Sequence, residues 1–329
     1  MPGQRHRVSD YLKIGLCASR VQISRRRERG PHGADMSRSA GTRPWGEPPS
    51  AILFTDLDGT LLDYDGYGWA PAAPALRTLM SHGVAVVPCS SKTLAEQRMW
   101  AREMGMAGPF VVENGSAVVL PEGLIPEGIE GVADGGTVRR THDHEIVVLG
   151  MDRPLVLDAL RRIRTVEGIV FRGYADMTLE AIRKQTGLSA SAAELARARD
   201  FSETVHVTGG PAAWERFMEA LRKHGLHSFG AGPTGTVVGL GADKGRAVRV
   251  VTEIFRRIAG AARPLPTAAV GDAFNDEPML RAVERPFLVE CRGGGWADLA
   301  VEGMSRVRGV GPVGWARAAA RFLEEVSPR

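Results

Sequence analysis

Three short apolar runs in this chain each stop at a cluster of small polar and acidic residues, and that repetition limits the fold more than any other feature. The runs are Ala51 to Thr55, Val84 to Pro88 and Thr267 to Val270. They end at Asp56-Leu57-Asp58-Gly59-Thr60, at Cys89-Ser90-Ser91-Lys92-Thr93 and at Gly271-Asp272-Ala273-Phe274-Asn275-Asp276. Stretches with helical spacing separate them, such as Leu76, Leu79, Met80 and Ala247, Val250, Val251, Ile254, Ile258. Wholly apolar strands alternating with amphipathic helices are the pattern of a parallel sheet covered on both faces. Such sheets bind ligands beyond the carboxyl ends of their strands, so the three polar clusters are expected to share one rim.

At 329 residues the chain has room for two domains of about 150 residues each. Between about Gly135 and Leu240 the texture changes. A strand from Glu145 to Gly150 precedes a helix bearing Val156, Ala159, Leu160 and Ile163; a strand from Thr204 to Thr208 precedes one bearing Trp214, Phe217, Met218 and Leu221. With further strands near Ser228 and Val237, this predicts an inserted α+β module. The expected class is α/β: a Rossmann-like parallel-sheet core from residues 49–134 and 241–329, with an α+β cap over residues 135–240. Ser90 or Ser91 is expected to cap the helix after the second strand, and a helix from about Val313 closes the core.

Residues 1–48 predict a disordered, basic N-terminal extension, rich in Arg, Ser, Gly and Pro and without an apolar period. That segment has nine Arg and one Lys against four acidic residues, so its net charge is +6, while the remainder is −2 with 32 basic against 34 acidic residues. The overall +4 therefore does not mark the folded part as nucleic-acid binding. The Arg25 to Arg29 run suits a solvated tail. Met36 is an alternative start; the Arg and Ser content is only loosely like that of a transit peptide, and a signal peptide is disfavoured because the apolar patch after Arg5 and Arg7 is too short. No run approaches the roughly 18 apolar residues of a membrane helix, so no membrane partner is expected. Cys17, Cys89 and Cys291 are too few and scattered for a disulfide framework or a zinc ribbon, which predicts a reducing, cytoplasmic setting.

The polar clusters suggest a chemistry. Asp56 and Asp58 straddle one residue where a strand ends, so both carboxylates can address the space above the sheet, and Gly59 permits the sharp turn. With Asp272 they supply the hard oxygen ligands that Mg²⁺ takes, the remaining positions being left to water and substrate phosphate. Lys244, at the helix start Asp243-Lys244-Gly245, and the Ser90 hydroxyl add positive charge and a donor for phosphate oxygens. Positioning and charge neutralisation carry phosphoryl transfer, and this set supplies both.

In this order the motifs resemble those of the haloacid dehalogenase-type phosphatase superfamily: Asp-x-Asp-Gly-Thr, a strand-end Ser or Thr, a Lys, and Gly-Asp-x-x-Asn-Asp. The resemblance spans roughly Ala51 to Glu325. It implies that Asp56 is the nucleophile and forms an aspartyl phosphate, and that Asp58 protonates the leaving oxygen and then activates water. It further implies that Asp56, Asp58 through its backbone carbonyl, and Asp272 hold Mg²⁺. Ser90 and Lys244 would steady the phosphoryl group, and Asn275 and Asp276 would orient the ligands from behind. P-type ATPases share that intermediate but carry Lys directly after the nucleophile and need membrane helices.

A finer resemblance is to the mannosyl-3-phosphoglycerate phosphatases. It is carried by Ser90-Ser91-Lys92-Thr93 with Glu96, Glu113-Asn114-Gly115, Phe171-Arg172-Gly173-Tyr174-Ala175-Asp176-Met177, Thr186-Gly187-Leu188, Arg199-Asp200-Phe201-Ser202-Glu203 and Gly311-x-x-Gly314-Trp315. The substrate it implies is a small phosphorylated glycoside, mannosyl- or glucosyl-3-phosphoglycerate, whose product is a compatible solute. Lys92 and Arg199 would then hold its carboxylate, Ser91 would also bind the substrate, and Ser202, Glu203 and Asp176 would share sugar hydroxyls. Thr204 stands where the family places Pro, and Ala273-Phe274 replaces a smaller pair.

The competing readings are a phosphatase of another sugar phosphate, of sucrose or trehalose type, a phosphotransferase or mutase on the same core, and a nucleic-acid-binding regulator acting through the basic tail. His142-Asp143-His144 is expected to be the polar start of a strand because no third metal ligand lies nearby. Gly293-Gly294-Gly295 is expected to be a plain loop.

Overall fold

The structure, a computed structural model, describes residues 48–126, 136–230, 232–260 and 264–326. The basic extension expected over residues 1–48 lies outside the described residues but for Pro48, as do the Arg25 to Arg29 run, Met36, Cys17 and the expected boundary at 134/135. The chain begins β1 (Ala51–Thr55), α1 (Ala73–Ser81), β2 (Val84–Pro88), α2 (Leu94–Met104), β3 (Phe110–Val112), β4 (Ala117–Pro121), β5 (Thr137–Arg140) and β6 (His144–Val148). It continues α3 (Arg153–Val166), β7 (Phe171–Gly173), α4 (Leu179–Thr186), α5 (Ala190–Arg197), β8 (Ser202–Val207), α6 (Gly210–Lys223), β9 (Leu226–Phe229) and β10 (Thr234–Gly239). It closes α7 (Lys244–Ala259), β11 (Thr267–Gly271), α8 (Glu277–Leu280), β12 (Arg285–Glu290), β13 (Ser305–Val310) and α9 (Pro312–Val326).

Five strands form an all-parallel sheet in the order β13-β12-β11-β1-β2. Every residue of β1, β2 and β11 is buried, because successive side chains point to opposite faces and both faces are covered. Leu53, Val86, Val270 and Val289 pack with Leu76 of α1 and Trp315 and Phe322 of α9. Ile52, Phe54, Val87, Ala269 and Leu288 pack with Val250, Val251, Ile254 and Phe255 of α7. Truncating a leucine or isoleucine of this set, such as Leu53 or Ile52, to Ala costs about 2–5 kcal/mol through lost burial and the cavity left behind. This sandwich holds the carboxyl ends of β1, β2 and β11 side by side, in the α/β arrangement that the apolar runs predicted.

The inserted module has an antiparallel sheet in the order β7-β8-β10-β9. Helices α3 and α6 cover one face, burying Val156, Leu160, Ile163, Phe217 and Leu221 against Phe171, Val205, Val207 and Val237. A second, smaller cluster joins Ile182 of α4 to Ala193 and Ala196 of α5 beneath Tyr174 and Met177.

The strand expected over Glu145 to Gly150 behaves differently from that reading. As β6 it pairs with β4 in a third sheet of order β3-β4-β6-β5, tied to the end of β2 by a bridge from Cys89 to Val111. Its alternation serves the core, since Val148 joins the α1/α9 cluster and Val147 the α7 cluster. The cap of α2 also differs. Thr93 takes that place: its hydroxyl accepts from Glu96 N at 3.2 Å and its own N–H donates to Glu96 Oε2 at 2.9 Å. Ser90 and Ser91 therefore lie ahead of the helix.

Candidate active site

The turn after β1 is held by Gly59, whose φ of +78° belongs to the left-handed region, and a Cβ there would come within 2.2 Å of the Tyr64 ring. Gly59 N donates to Leu62 O and Leu62 N to Leu57 O, both at 2.8 Å. This turn lifts Asp56 and Asp58 to the rim while Thr60 reaches back, its hydroxyl donating to Asp272 Oδ1 at 2.8 Å. Beneath it Trp315 Nε1 donates to Thr55 Oγ1 at 2.9 Å, and Thr55 donates to Asp56 O at 2.6 Å, so α9 fixes the residue that precedes the first acid.

Lys244 is the first residue of α7, whose start is capped by Asp243 accepting from Arg246 N at 2.7 Å. It is fully buried, and its ammonium donates to Asp56 Oδ1 at 2.8 Å and Asp276 Oδ1 at 2.7 Å. Asp276 Oδ2 accepts from the N–H groups of Asp272 at 3.0 Å and Ala273 at 3.2 Å. One carboxylate oxygen from each of Asp56, Asp272 and Asp276 lies within 4.8 Å of the others, although 216 positions separate Asp56 from Asp272 in the chain.

Three buried carboxylates share one buried ammonium, and the imbalance appears in their titration. Burial, then the charges of Asp276, Asp272 and Asp58, holds the Asp56 carboxyl well above the usual carboxylate range against the pull of Lys244. Asp272 is pushed up to about 7 by burial first and by Asp276 next. Burial alone would depress Lys244, yet Asp276 and Asp56 hold it above its ordinary value. An all-oxygen donor set with an excess of negative charge fits a hard divalent cation of the Mg²⁺ kind. Asp276, with both oxygens engaged by Lys244 and backbone amides, supports this set, while Asp56 and Asp272 present it.

The other expected residues divide into two groups. Ser90 is fully buried just after β2, whose end is tied to that of β1 by Cys89 N donating to Thr55 O at 2.8 Å; its Oγ accepts from Lys92 N at 3.3 Å, and among the described residues nothing accepts its hydrogen. The Asp58 side chain, 36% exposed, pairs with Lys92 Nζ at 2.9 Å rather than joining the acid cluster. Lys92 lies 3.7 Å from Glu96 Oε1 and 4.8 Å from the centre of the Tyr67 ring. Arg199 approaches from the module above, donating to Ser91 O at 3.4 Å and to Ser202 Oγ at 2.8 Å. Asn275 is half-buried beside Asp276.

Glu203 and Asp176, in contrast, are bound within the inserted module. Glu203 is fully buried and accepts from Arg153 Nε at 3.1 Å, Arg153 Nη2 at 2.7 Å and Ala175 N at 3.3 Å. It shares the Val205 and Val207 side of β8, which faces α3 and α6. Asp176 accepts from Gly173 N at 3.0 Å and pairs with Arg164.

Two contacts were not foreseen. The Tyr64 hydroxyl donates to Asp272 Oδ2, and the Glu113 carboxylate accepts from Asp200 N at 2.9 Å and Phe201 N at 3.1 Å. The signal for Tyr64 was the crowding of aromatics in the turn-forming run Asp63-Tyr64-Asp65-Gly66-Tyr67-Gly68-Trp69. For Glu113 it was an acid between an apolar strand and Asn-Gly. His144 is bound by its neighbours Asp143, at 2.6 Å, and Thr141, at 3.0 Å, in keeping with a polar strand start.

Comparison with known proteins gives a consistent outcome. The haloacid dehalogenase-like hydrolase family matches residues 53–125. A glucosyl-3-phosphoglycerate/mannosyl-3-phosphoglycerate phosphatase from Methanococcoides burtonii is 33% identical over 268 residues, which is 81% of this chain and 95% of that protein. A mannosyl-3-phosphoglycerate phosphatase from Pyrococcus horikoshii is 30% identical over 72% of this chain and 90% of its own length. Among solved structures, the sucrose-phosphatase from Synechocystis has a TM-score of 0.52 at 14% identity over 83% of this chain and 98% of its own. A haloacid dehalogenase-like hydrolase from Bacteroides thetaiotaomicron has a TM-score of 0.56 at 16% identity, over 83% of this chain and 99% of its own. These structural likenesses carry the fold alone. The curated relatives, covered almost end to end, carry the family, and on them the chain is a phosphoric monoester hydrolase that belongs to the glucosyl-3-phosphoglycerate/mannosyl-3-phosphoglycerate phosphatase family of haloacid dehalogenase-like hydrolases.

Proposed function

We propose that the chain is a Mg²⁺-dependent phosphatase of glycosyl-3-phosphoglycerates, mannosyl or glucosyl, working in the cytoplasm through an aspartyl-phosphate intermediate. The observation that carries this reading is the convergence of Asp56, Asp272, Asp276 and Lys244 at one rim, with Ser90 and Asp58 beside them. Bound to Asp56 and Asp272, Mg²⁺ would neutralise the phosphate charge and let the Asp56 carboxylate remain ionised.

The remaining chemistry belongs to the side chains. The Asp56 oxygen not engaged by Lys244 attacks phosphorus in line, forming the Asp56–phosphorus ester while the bond from phosphorus to the glycerate oxygen breaks. Asp58 gives its proton to that leaving oxygen. Water then attacks phosphorus, Asp58 takes its proton, and the Asp56 ester breaks to release inorganic phosphate. Lys244 and the free hydrogen of Ser90 hold the non-bridging oxygens in both halves. Arg199 and Lys92 supply cations for a substrate that carries a carboxylate as well as a phosphate. Ser202, which lies within reach of Arg199, and Ser91 on the core side of that contact are assigned to the sugar end, whereas Glu203 and Asp176, held by Arg153 and Arg164, are assigned to the structure of the cap instead.

The test is phosphate release measured side by side on mannosyl-3-phosphoglycerate, glucosyl-3-phosphoglycerate, sucrose phosphate and trehalose phosphate, with and without Mg²⁺. The expected result is kcat/KM at least tenfold higher for a glycosyl-3-phosphoglycerate and loss of turnover on chelation. Preference for a sugar phosphate without a carboxylate would overturn the substrate assignment.

A further inference from the structure

The turn Glu113-Asn114-Gly115, which follows β3, contacts three elements that carry candidate site residues, and the reaction described above does not use it. Its backbone binds the Ser90 to Lys92 loop, with Glu113 N donating to Lys92 O at 3.1 Å and Asn114 N to Ser90 O at 3.0 Å. Gly115 lies flat on the start of α7, where a Cβ would come within 2.3 Å of the Asp243 carbonyl and 2.6 Å of Lys244 N. The Glu113 side chain turns the other way, into the cap.

Glu113 is fully buried, and its oxygens are taken up by cap groups: Asp200 N, Phe201 N and the Ser202 hydroxyl, the last at 2.5 Å. Glu113 and Asn114 also adopt φ values of +50° and +60°, a conformation that costs a non-glycine residue about 1–3 kcal/mol and persists only where the surroundings fix it. A buried carboxylate on a left-handed backbone is an expensive way to join two packed surfaces, and apolar contact would serve that purpose at lower cost.

The chain of contacts indicates what it achieves. Ser202 donates to Glu113 and accepts from Arg199 Nη1 at 2.8 Å, and the same Nη1 points at Ser91 O, 3.4 Å away. Arg199 Nε is buried and without a partner among the described residues, so the guanidinium keeps donor capacity for an anion. A core carboxylate thus reaches through a cap hydroxyl to Arg199, a cap cation that touches the Ser90 to Lys92 loop.

We propose that Glu113 is a positioning residue that seats the cap on the core and, through Ser202, aims Arg199 at the anionic end of the substrate. This rests on the substrate reading above for the identity of the anion, but not for the contact itself.

The experiment combines kinetics with amide hydrogen exchange on the full chain carrying Mg²⁺. In Glu113→Gln, where an amide N–H₂ replaces one acceptor, exchange at Asp200 and Phe201 is expected to speed up at least about tenfold while β1 amides keep their protection. KM for the best substrate of the panel is expected to rise about tenfold, the loss of a charge-assisted contact, and more than KM for a small aryl phosphate. The double variant Glu113→Gln/Arg199→Ala should have a KM within about twofold of Arg199→Ala alone, since the first residue acts through the second. Ser202→Ala keeps the two backbone contacts and should raise KM while leaving Asp200 and Phe201 protected. Unchanged exchange at those amides, equal KM effects on both substrates, or additive effects in the double variant would overturn the proposal. Should the panel favour a phosphate without a carboxylate, the substrate reading falls, and the exchange and double-variant results with that substrate still decide the role of Glu113.

Discussion

The core rim and the cap both carry buried acids, and they hold them differently. At the rim Asp56, Asp272 and Asp276 crowd around a single ammonium, which leaves the group short of positive charge. In the cap, the buried Glu203 is matched by Arg153, and the exposed Asp176 by Arg164. An acid cluster short of cations is unstable by itself and is arranged for something else to complete. Matched pairs are complete already and hold the cap together. The contrast distinguishes a place where charge waits for a ligand from a place where charge is structural.

The largest effect is expected at Asp56. Asp56→Asn keeps the volume and removes the nucleophile, so kcat should fall at least about a thousandfold while circular dichroism and the thermal midpoint stay those of a folded protein. Substantial residual turnover would remove Asp56 from that role. Next comes Arg199, a cap cation that reaches the Ser90 to Lys92 loop and forms no ion pair among the described residues. Arg199→Ala should raise KM for the carboxylate-bearing substrate about 10–100-fold, the range expected for losing a hydrogen bond to a charged group, and raise KM for an aryl phosphate much less. Equal effects on both would remove its role at the carboxylate.

Glu203 should respond in the opposite manner. Glu203→Gln leaves the Arg153 charge uncompensated at the edge of the cap interior, which costs about 3–5 kcal/mol of stability when such a pair is buried on both sides and less here because Arg153 remains 19% exposed. The thermal midpoint is therefore expected to drop by several degrees. A large KM effect at unchanged stability would move Glu203 from the structural group to the substrate-binding group.

The titration of Asp272 gives a fourth check. Its folded pKa of about 7 lies above the ordinary carboxylate value, so its protonated form favours the folded state: its contribution to stability is full below the unfolded pKa and is lost as pH rises toward 7. Without divalent cation, this group's contribution to the thermal midpoint should decline across pH 4 to 7. Added Mg²⁺ should raise the midpoint at pH 8 and do little at pH 5, where the proton occupies the site; equal shifts at both would contradict a cation held by these acids. The smallest effect is expected at Asp176, whose pair with Arg164 is 39% exposed on each side. Asp176→Asn should change stability by no more than about 1 kcal/mol, so any marked change in KM there would speak for a sugar contact.

The same contrast explains what was legible in the sequence. Asp56, Lys244 and Asp272 sit at strand ends or a helix start, and a parallel sheet brings such ends together whatever the loops do, so type and position sufficed to gather them. Asp58 was harder, because a residue two places along a turn can point in either direction, and its side chain goes to Lys92. The partners of Glu203, Asp176 and Arg199 depend on which cap face each strand shows and on contacts over long separations, such as the 88 positions between Glu113 and Phe201. No local period encodes those.

The fold divides in a similar way. β1, β2 and β11 announced themselves by continuous apolar runs, whereas β13, with Arg306 and Arg308 exposed around a single buried Val307, carries almost no apolar signal. β6 was visible as a strand, but its sheet was not, since alternation reports that a face is buried and leaves the neighbour open. The short helices α4 and α5 fall below the length at which a helical period is distinct.

The central claim is that the acids at the rim serve a covalent phosphoryl transfer on Asp56. Mixing the enzyme with Mg²⁺ and mannosyl-3-phosphoglycerate carrying radiolabelled phosphate, quenching in acid within milliseconds and mapping the labelled peptide tests it most directly. The account predicts label on the peptide containing Asp56, released by hydroxylamine and absent without Mg²⁺. Rapid phosphate release with no protein-bound label at any quench time, or label on another residue, would contradict it.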